Sequence, residues 1–334
     1  MTELREFPAP DAHVPDLGPT SRTFEEVAAP DRVSAPAPVR LPLRTRLTRA
    51  APPYLFLLPG LALLAVWVYR PLVTTVQLSF FSWNLLPTSP ARPVGFDNYV
   101  RLFTLPEFPA ALGRTAVLIL GLLPFTLVVP TVVGLLARRV RGRAATVYQA
   151  LVFAPMLVAP VAGAAVWQWL LDPGGGLVNR VFGTTSNWLQ EPGPAQLAII
   201  VITGWHVLGF ATLVVAAGLA GIDSEYSAAA SLDGATRWQT TRWITLPLLS
   251  PTLSFLLLMT LLLAAQWSFP LVNTLTHGGP SGATTNVYYL LWDYAFGSFD
   301  AGLGAAAGMI FFLGFGLLAL LLVRLTERLS FHDS

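Results

Sequence analysis

The segment that decides the fold is IDSEYSAAASLDGATRWQTTRWITLPLLSP, residues 222–251, which separates two long apolar runs. Its centre is polar and rich in alanine, and Asp223 or Ser224 can cap a helix through a side-chain oxygen. Gly234 permits the left-handed turn with which helices often end. The segment is therefore predicted to form a short helix. Pro247 is predicted to fall in the first turn of the next apolar run, where its missing N–H leaves no bond unmade.

Six apolar runs indicate an all-α membrane protein. Hydrophobic residues make up 54% of the 334 residues and charged residues only 11%, whereas about a quarter of the residues in soluble domains are charged. Each run can cross roughly 30 Å of hydrocarbon, and a spanning segment must be helical to pair its own backbone groups. The six predicted transmembrane helices are residues 54–82, 113–137, 147–171, 196–221, 246–271 and 303–325.

The remaining segments are predicted to be tails, and two missing residue types exclude several kinds of site. Residues 1–52 are rich in proline and charge and are predicted to be a disordered tail, and residues 329–334 a short tail. The chain contains no cysteine, which excludes disulfides and thiolate metal sites. All twenty basic residues are arginine, so a Walker-A phosphate loop, which requires lysine, is excluded.

The distribution of arginine predicts the orientation, because cytoplasmic loops retain positive charge. The arginines of one side are Arg40, Arg44, Arg46 and Arg49, Arg138, Arg139, Arg141 and Arg143, Arg237 and Arg242, and Arg324 and Arg328. The other side carries chiefly Arg92, Arg101 and Arg180. Both termini and the segment 222–251 are therefore predicted to be cytoplasmic.

The predicted short helix carries a small apolar face. Ala228, Leu232 and Ala235 fall at spacings that share one side of a helix. Such a face fits a groove on a soluble partner, and it fits the bilayer surface equally well. Spacing alone leaves both interpretations open.

The residues of this segment resemble a known motif. The pattern A-A-x-x-L-D-G-A followed by I-T-L-P strongly resembles the EAA loop of permease subunits in bacterial ATP-binding-cassette importers. In that family the loop is a coupling helix that docks in a cleft of the ATPase subunit. The resemblance implies that the docking helix holds Ala229, Leu232, Asp233, Gly234 and Ala235, and that the return to the membrane holds Ile244, Leu246 and Pro247. The glutamate that names the motif is replaced here by Ala228.

The resemblance extends over residues 53–328, which it implies form one six-helix domain of the type I ABC importer permease fold, with the coupling loop at about 222–247. FLLPGLALLAVWVYRPLVTTVQLSFFSWN, VWQWLLDPGGGLVN and LTHGGPSGAT look like the carbohydrate branch, of the maltose and glycerol-phosphate type. Several such motifs in the family's order form a specific signal.

The family implies a transport subunit rather than an enzyme. Its expected partners are a second homologous permease, two ATPase subunits, an extracytoplasmic solute-binding protein, a sugar substrate and membrane lipid, with no nucleic acid. No cofactor is expected in this chain, because ATP and magnesium bind to the ATPase. The expected location is the bacterial inner membrane, which the chain crosses several times. Sugars, polyols and glycerol phosphates all remain open as substrates.

Polar residues inside the fourth and fifth spans are candidates for the substrate path, because such groups usually face a cavity or another helix. The polar candidates are Thr203, His206, Gln266, Ser268 and Asn273. The resemblance to the maltose-type subunit points to Thr203, His206 and Ser268 and adds Phe210. Hydrogen bonding between helices is the alternative for each polar residue. His206 has no second ligand nearby in the sequence, so no metal site is predicted.

A rival function is an ion-driven secondary transporter of a small polar solute. Such transporters often carry carboxylates inside the membrane and inverted repeats, and neither is evident in this sequence. A membrane enzyme is a further alternative, but HExxH and GxSxG motifs are missing.

Overall fold

A computed structural model describes residues 56–138, 140 and 142–329, with side chains up to residue 324. The predicted tail of residues 1–52 lies outside this range, as does the segment 330–334. From Ala62 onward the described chain forms one compact unit, and Phe56–Leu61 begin its first helix.

Helices form most of the described chain. They are α1 Phe56–Leu78, α2 Asp97–Thr104, α3 Glu107–Ala137, α4 Arg143–Leu157, α5 Pro160–Leu170, α6 Leu177–Phe182, α7 Pro192–Ala220, α8 Ser224–Leu232, α9 Arg237–Leu275, α10 Val287–Trp292 and α11 Ala301–Leu329. Two short strands, β1 Phe81–Ser82 and β2 Arg92–Pro93, pair antiparallel between α1 and α2. Wider π-helical turns occur at Ala65–Tyr69, Pro124–Val128, Thr241–Thr245 and, directly after α10, Asp293–Gly297.

Five helices in the described range are long and apolar enough to cross a membrane by themselves: α1, α3, α7, α9 and α11. The remaining predicted span, the third in chain order at residues 147–171, is broken into α4 and α5, which meet at 96°. The break falls at Val158 and Ala159, because Pro160 disfavours helical torsions in the residue before it. Ala159 accordingly has φ −58° and ψ 133°. The third predicted span is therefore helical, as expected, but consists of two helices.

The boundaries of two spans also differ from their predicted positions. α3 begins at Glu107 rather than near residue 113, and α9 begins at Arg237 rather than near residue 246. In both helices the added residues are polar or charged in part, so a search for apolar runs does not include them. Each helix therefore extends beyond its apolar run.

α7 is the centre of the structure. It is apolar around its whole circumference, as expected for a helix enclosed by others, and 61% of its most apolar 18-residue window is buried. It packs against α3, α4 and α9. The corresponding window of α1 has no buried residue. A hydrogen bond of 2.8 Å from the Thr260 hydroxyl of α9 to the Thr126 hydroxyl of α3 joins two neighbours of α7.

Glycine allows α4 to approach α7 closely. A Cβ added at Gly209 of α7 would lie 2.6 Å from the carbonyl oxygen of Val152 and 2.8 Å from the Cα of Phe153. Small residues at helix crossings allow backbones to touch, which is how membrane helices gain packing energy. Gly209 therefore fixes the point at which these two helices cross.

The loops fall into two groups. Arg114 near the start of α3, Gln196 near the start of α7 and Thr284 after α9 line one small pocket. Arg138 after α3 and Ile222 after α7 line another. The first group lies at one end of the helices, and the second group lies at the end that carries α8, called the α8 end below.

We predict that Gly209→Ala lowers the thermal stability of the protein, because its methyl group would collide with the backbone of α4. Overpacking of this kind costs about 1–3 kcal/mol. Melting in detergent, followed by size-exclusion chromatography, measures the effect. Gly314→Ala in α11 is the matched control, since its Cβ would meet nothing within 4 Å, and it should not lower the melting temperature. Equal melting of both variants would contradict the close crossing.

Candidate functional site

α8 has a defined beginning. The side chain of Asp223 accepts a hydrogen bond of 3.0 Å from the backbone N–H of Glu225. Such a cap satisfies one of the four N–H groups that a helix leaves without an internal partner. Of the two capping residues predicted, Asp223 is the one used.

The end of α8 is equally defined. Gly234 has φ +75°, which confirms the predicted left-handed turn. The N–H of Gly234 donates to the carbonyl of Ser231 at 3.2 Å, and the N–H of Ala235 donates to the carbonyl of Ala230 at 2.9 Å. This pair of bonds is the Schellman motif, which requires a left-handed residue at the position of Gly234. The sequence L-D-G-A is therefore a helix stop.

The face that α8 buries is narrow. Ala230 is its one buried residue, and Ala235 after it is half-buried. The side chain of Leu232 is 88% exposed. Four further predicted coupling residues are also exposed: Ala228, Ala229, Asp233 and Gly234. Leu232 therefore lies on the open side of the capped helix.

The chain returns from α8 into α9 through a capping box. The hydroxyl of Thr236 accepts from the N–H of Gln239 at 3.3 Å, and the Gln239 side chain accepts from the N–H of Thr236 at 2.7 Å. The spacing T-x-x-Q is a known signal for a helix start, and it places the start of α9 at Arg237. This signal was missed in the sequence.

Pro247 falls in the first turn of the α-helical part of α9 that begins at Leu246, as predicted, although a π-helical turn joins this part to the earlier turns of α9. The π-helical turn Thr241–Thr245 precedes it, and the N–H of Leu246 bonds to the carbonyl of Thr241, five residues back. Pro247, which has no N–H to place, stands where the helix returns to α-helical register. The π turn therefore makes α9 one continuous helix from the loop into the apolar run.

Two tryptophans extend the exposed surface beside α8. Trp238 and Trp243 on the first turns of α9 are both exposed. The guanidinium of Arg242 lies over the ring of Trp243, 5.3 Å from its centroid. Aromatic rings that combine with basic residues are frequent both at membrane boundaries and at protein interfaces.

Three of the predicted path residues lie on one helix and form a cluster with α9. Thr203 and His206 of α7 are completely buried, and Phe210 one turn later is half-buried. The His206 ring lies 4.8 Å from the ring of Trp267 on α9, and its Nδ1 is 3.0 Å from the carbonyl of Ile202. These residues, Thr203, His206, Phe210 and Trp267, are called the His206 cluster.

The His206 cluster contains buried polar atoms without partners. Among the described residues, the Thr203 hydroxyl, His206 Nε2 and Trp267 Nε1 are buried and make no hydrogen bond. His206 Nε2 faces α5, since a Cβ at Gly163 would lie 3.2 Å from it. Most buried polar groups are paired, so three unpaired ones at neighbouring positions distinguish this cluster from an ordinary core. No sequence pattern pointed to Trp267.

The three path residues predicted on α9 are not part of this cluster. Gln266 is exposed and Asn273 is half-buried. Ser268 is buried, and its hydroxyl accepts a hydrogen bond of 3.1 Å from Asn286. Asn286 also caps α10, where its side-chain oxygen accepts from the N–H of Tyr289 at 3.0 Å. Ser268 therefore has a structural partner, whereas Thr203 has none among the described residues.

Metal-binding residues do not gather within the described part of the chain, where no three histidine, aspartate or glutamate side chains are placed to hold an ion. His206 is surrounded by tryptophan rings and by the backbone of its own helix.

Comparison with known proteins identifies the family. Residues 133–330 match the family described as binding-protein-dependent transport system inner membrane component. The chain belongs to this family. Residues 222–251, with α8, lie inside the matched range. The chain is therefore a multi-pass membrane permease, as predicted from the A-A-x-x-L-D-G-A pattern.

Relatives of the permease match most of their own length. A probable ABC transporter permease protein of Pyrococcus horikoshii is 31% identical over 268 residues, which cover 78% of this chain and 90% of that protein. The trehalose/maltose transport system permease protein MalF of Thermococcus litoralis is 31% identical over 273 residues, covering 78% and 88%.

A solved structure confirms the predicted fold class. It is the crystal structure of a bacterial ABC transporter involved in the import of the acidic polysaccharide alginate. One of its chains superposes on this permease with a TM-score of 0.74 and 24% identity, covering 86% of this chain and 99% of that one. The permease therefore has the fold of an ABC importer transmembrane subunit.

We predict that Ser268→Ala destabilises the permease, because it leaves the Asn286 amide without its buried partner. The loss of such a bond costs about 1–3 kcal/mol and lowers the melting temperature in detergent. Ser250→Ala on the same helix is the control, since the Ser250 hydroxyl makes no hydrogen bond to a described residue. An unchanged melting temperature together with a changed KM for uptake would instead place Ser268 in the substrate path.

Proposed function

We propose that this permease is a transmembrane subunit of an ATP-driven, binding-protein-dependent importer of sugars or related polyols. The observation that carries the proposal is α8, a helix capped at both ends and placed between two spans, with Leu232 88% exposed. It works by alternating access, in which closure of the ATPase subunits moves the spans through α8.

The relatives support the class of substrate. One is a trehalose/maltose transport system permease. The transporter in the similar solved structure is involved in the import of the polysaccharide alginate. Family membership supports a solute-binding protein as the donor of substrate, since the family's description names dependence on one. ATP and magnesium bind to the partner ATPase subunits, and no cofactor is assigned to this chain.

The geometry of α8 supports a docking role. The exposed residues at and directly after its end are Leu232, Asp233 and Gly234, which the EAA-like pattern assigns to the contact with the ATPase. Covering an exposed Leu side chain with a groove is favourable, by about 1.5–3 kcal/mol for full burial. The capped ends hold α8 in shape, so it transmits movement without first having to fold.

Ala228 modifies this coupling. It is exposed on α8 and stands where the motif has its glutamate, so the charge contact with the ATPase cannot form from this residue. The complex has a second, homologous permease, which supplies the glutamate at the other docking site. We infer weaker coupling at this chain's site rather than an inactive transporter.

The orientation follows from charge. The arginine-rich side, which holds α8 and both termini, is cytoplasmic because positive charge is retained there. Arg237 and Arg242 at the start of α9 belong to that side. In a bacterium the chain therefore spans the inner membrane with α8 facing the ATPase.

The His206 cluster is the proposed contact with the substrate. Sugars offer hydroxyl groups together with apolar C–H faces, and Thr203, His206 and Trp267 offer unpaired polar atoms beside aromatic rings. Gln266, Ser268 and Asn273 belong to the proposed path at other depths. Ser268 is the weakest of these because it is already bonded to Asn286.

The rival function, an ion-driven secondary transporter, has less support. Such transporters usually couple through carboxylates inside the membrane. Within the described chain the candidate spans contain one acidic residue, Glu107, which is the first residue of α3. From α4 to the end of α9 the carboxylates of the described chain lie in loops or in α8.

We predict that Gly234→Asp abolishes ATP-dependent uptake while the complex still assembles. It places a charged side chain at the end of α8, at a left-handed position that favours glycine. Uptake of labelled sugar into vesicles and copurification of the ATPase are the measurements.

Gly183→Asp is the matched control for this variant. Gly183 ends α6 with φ +63°, and a Cβ there also meets nothing within 4 Å. It carries the same backbone strain at the opposite end of the spans and should retain uptake. Normal ATP-dependent uptake by Gly234→Asp would remove the proposed role of α8.

We further predict that Thr203→Val raises the KM for uptake about fivefold, since one hydrogen bond to substrate is worth about 1 kcal/mol. The melting temperature should not fall, because the Thr203 hydroxyl has no partner to lose among the described residues. Thr212→Val on the same helix, whose hydroxyl bonds to the carbonyl of Leu208, should leave KM unchanged. An unchanged KM in Thr203→Val would exclude this hydroxyl from the path.

A further inference from the structure

A second cavity lies at the α8 end, away from the His206 cluster. Its volume is about 260 Å³. It lies between the end of α3, the beginning of α4 and the end of α7. The lining residues include Arg138, Tyr148, Gln149, Ala216 and Ile222.

The lining of this cavity is amphipathic. Arg138, Tyr148 and Gln149 provide a guanidinium, a phenol and an amide on the α3 and α4 side. The α7 side is apolar and consists largely of small residues. Among the described residues Arg138 has no carboxylate within salt-bridge distance. The cavity therefore offers unneutralised positive charge and hydrogen-bond donors above an apolar floor.

The surface around the cavity is apolar as well. Leu136 on α3, Val140 after it, and Val147 and Leu151 on α4 are all exposed. In a membrane permease, apolar side chains at the boundary of a span contact acyl chains. The narrow pocket further along α4 and α7, about 30 Å³ beside Gly209, is too small to hold an acyl chain. A molecule with a polar head in the cavity would therefore lay its chains over the outside of α3 and α4.

We propose that this cavity binds the headgroup of an anionic phospholipid. Arg138 pairs with the phosphate, and the Tyr148 hydroxyl and the Gln149 amide donate hydrogen bonds to phosphate or glycerol oxygens. Basic pockets between membrane helices at the lipid boundary bind anionic headgroups. The sequence around the cavity is strongly basic, with four arginines in residues 138–143. A neutral sugar would leave the charge of Arg138 unanswered.

The position of the cavity links the lipid to α8. Ile222 lines the cavity and directly precedes Asp223, the residue that caps α8. A bound headgroup therefore contacts the base of the helix that we assign to ATPase docking. The binding of lipid does not depend on that assignment, because it requires only a permease embedded in a bilayer.

The test uses the full-length permease, purified in detergent and mixed with equal amounts of phosphatidylglycerol and phosphatidylcholine of identical acyl chains. Native mass spectrometry counts the retained lipids. We expect phosphatidylglycerol to be retained in preference, and Arg138→Gln to lower its retention about fivefold, the factor for one basic contact with an anionic headgroup. Ala216→Phe, which fills the floor of the cavity without changing charge, should lower it as well.

Arg92→Gln is the control, because Arg92 is exposed on β2 at the opposite end and its loss changes the net charge equally. It should retain phosphatidylglycerol like the unmodified chain. Equal retention of both lipids, or equal loss in Arg92→Gln and Arg138→Gln, would overturn the proposal. So would displacement of the lipid by soluble glycerophosphate at the same concentration, which would identify a water-soluble anion as the ligand.

Discussion

The burial of α7 among α3, α4 and α9 is the interaction on which the rest of the structure depends. In hydrocarbon, apolar surface gives no preference for another helix over lipid, so helices associate through close packing and hydrogen bonds. Gly209 supplies the close packing by allowing the backbone of α4 to touch α7. Thr126 and Thr260 supply a hydrogen bond between two neighbours of α7. These local contacts hold a helix whose sequence would suit lipid equally well.

α7 also connects the three sites. The His206 cluster lies near its middle, the amphipathic cavity lies beside its last turns, and α8 follows after Gly221, Ile222 and Asp223. Because this connection is short and both ends of α8 are capped, α8 cannot move far without moving the end of α7. Force applied to α8 would therefore reach the buried helix directly, and α7 carries Thr203 and His206.

The sequence predicted the existence of the spans better than their shape. Apolar runs located six segments because the cost of unpaired backbone in lipid leaves helices as the available structure. Pro160 and the T-x-x-Q spacing at Thr236 were present as signals for the break before α5 and the start of α9, but hydropathy does not register them. The sequence could not predict which helix is buried. α1 and α7 are both apolar, yet α1 has no buried residue in its span.

The residues of the candidate sites likewise differ in whether their roles could be predicted from the sequence. Asp223 and Gly234 were predictable because capping and left-handed turns are local properties of the chain. The roles of Thr203 and Ser268 were not, since both are polar residues inside spans and the sequence offers the same two interpretations for each. Ser268 meets Asn286 across a long-range contact, whereas the Thr203 hydroxyl meets no partner in the described chain. A buried hydroxyl that already has its hydrogen bond gains little from a sugar, so the unpaired atoms of the His206 cluster are where binding energy is available.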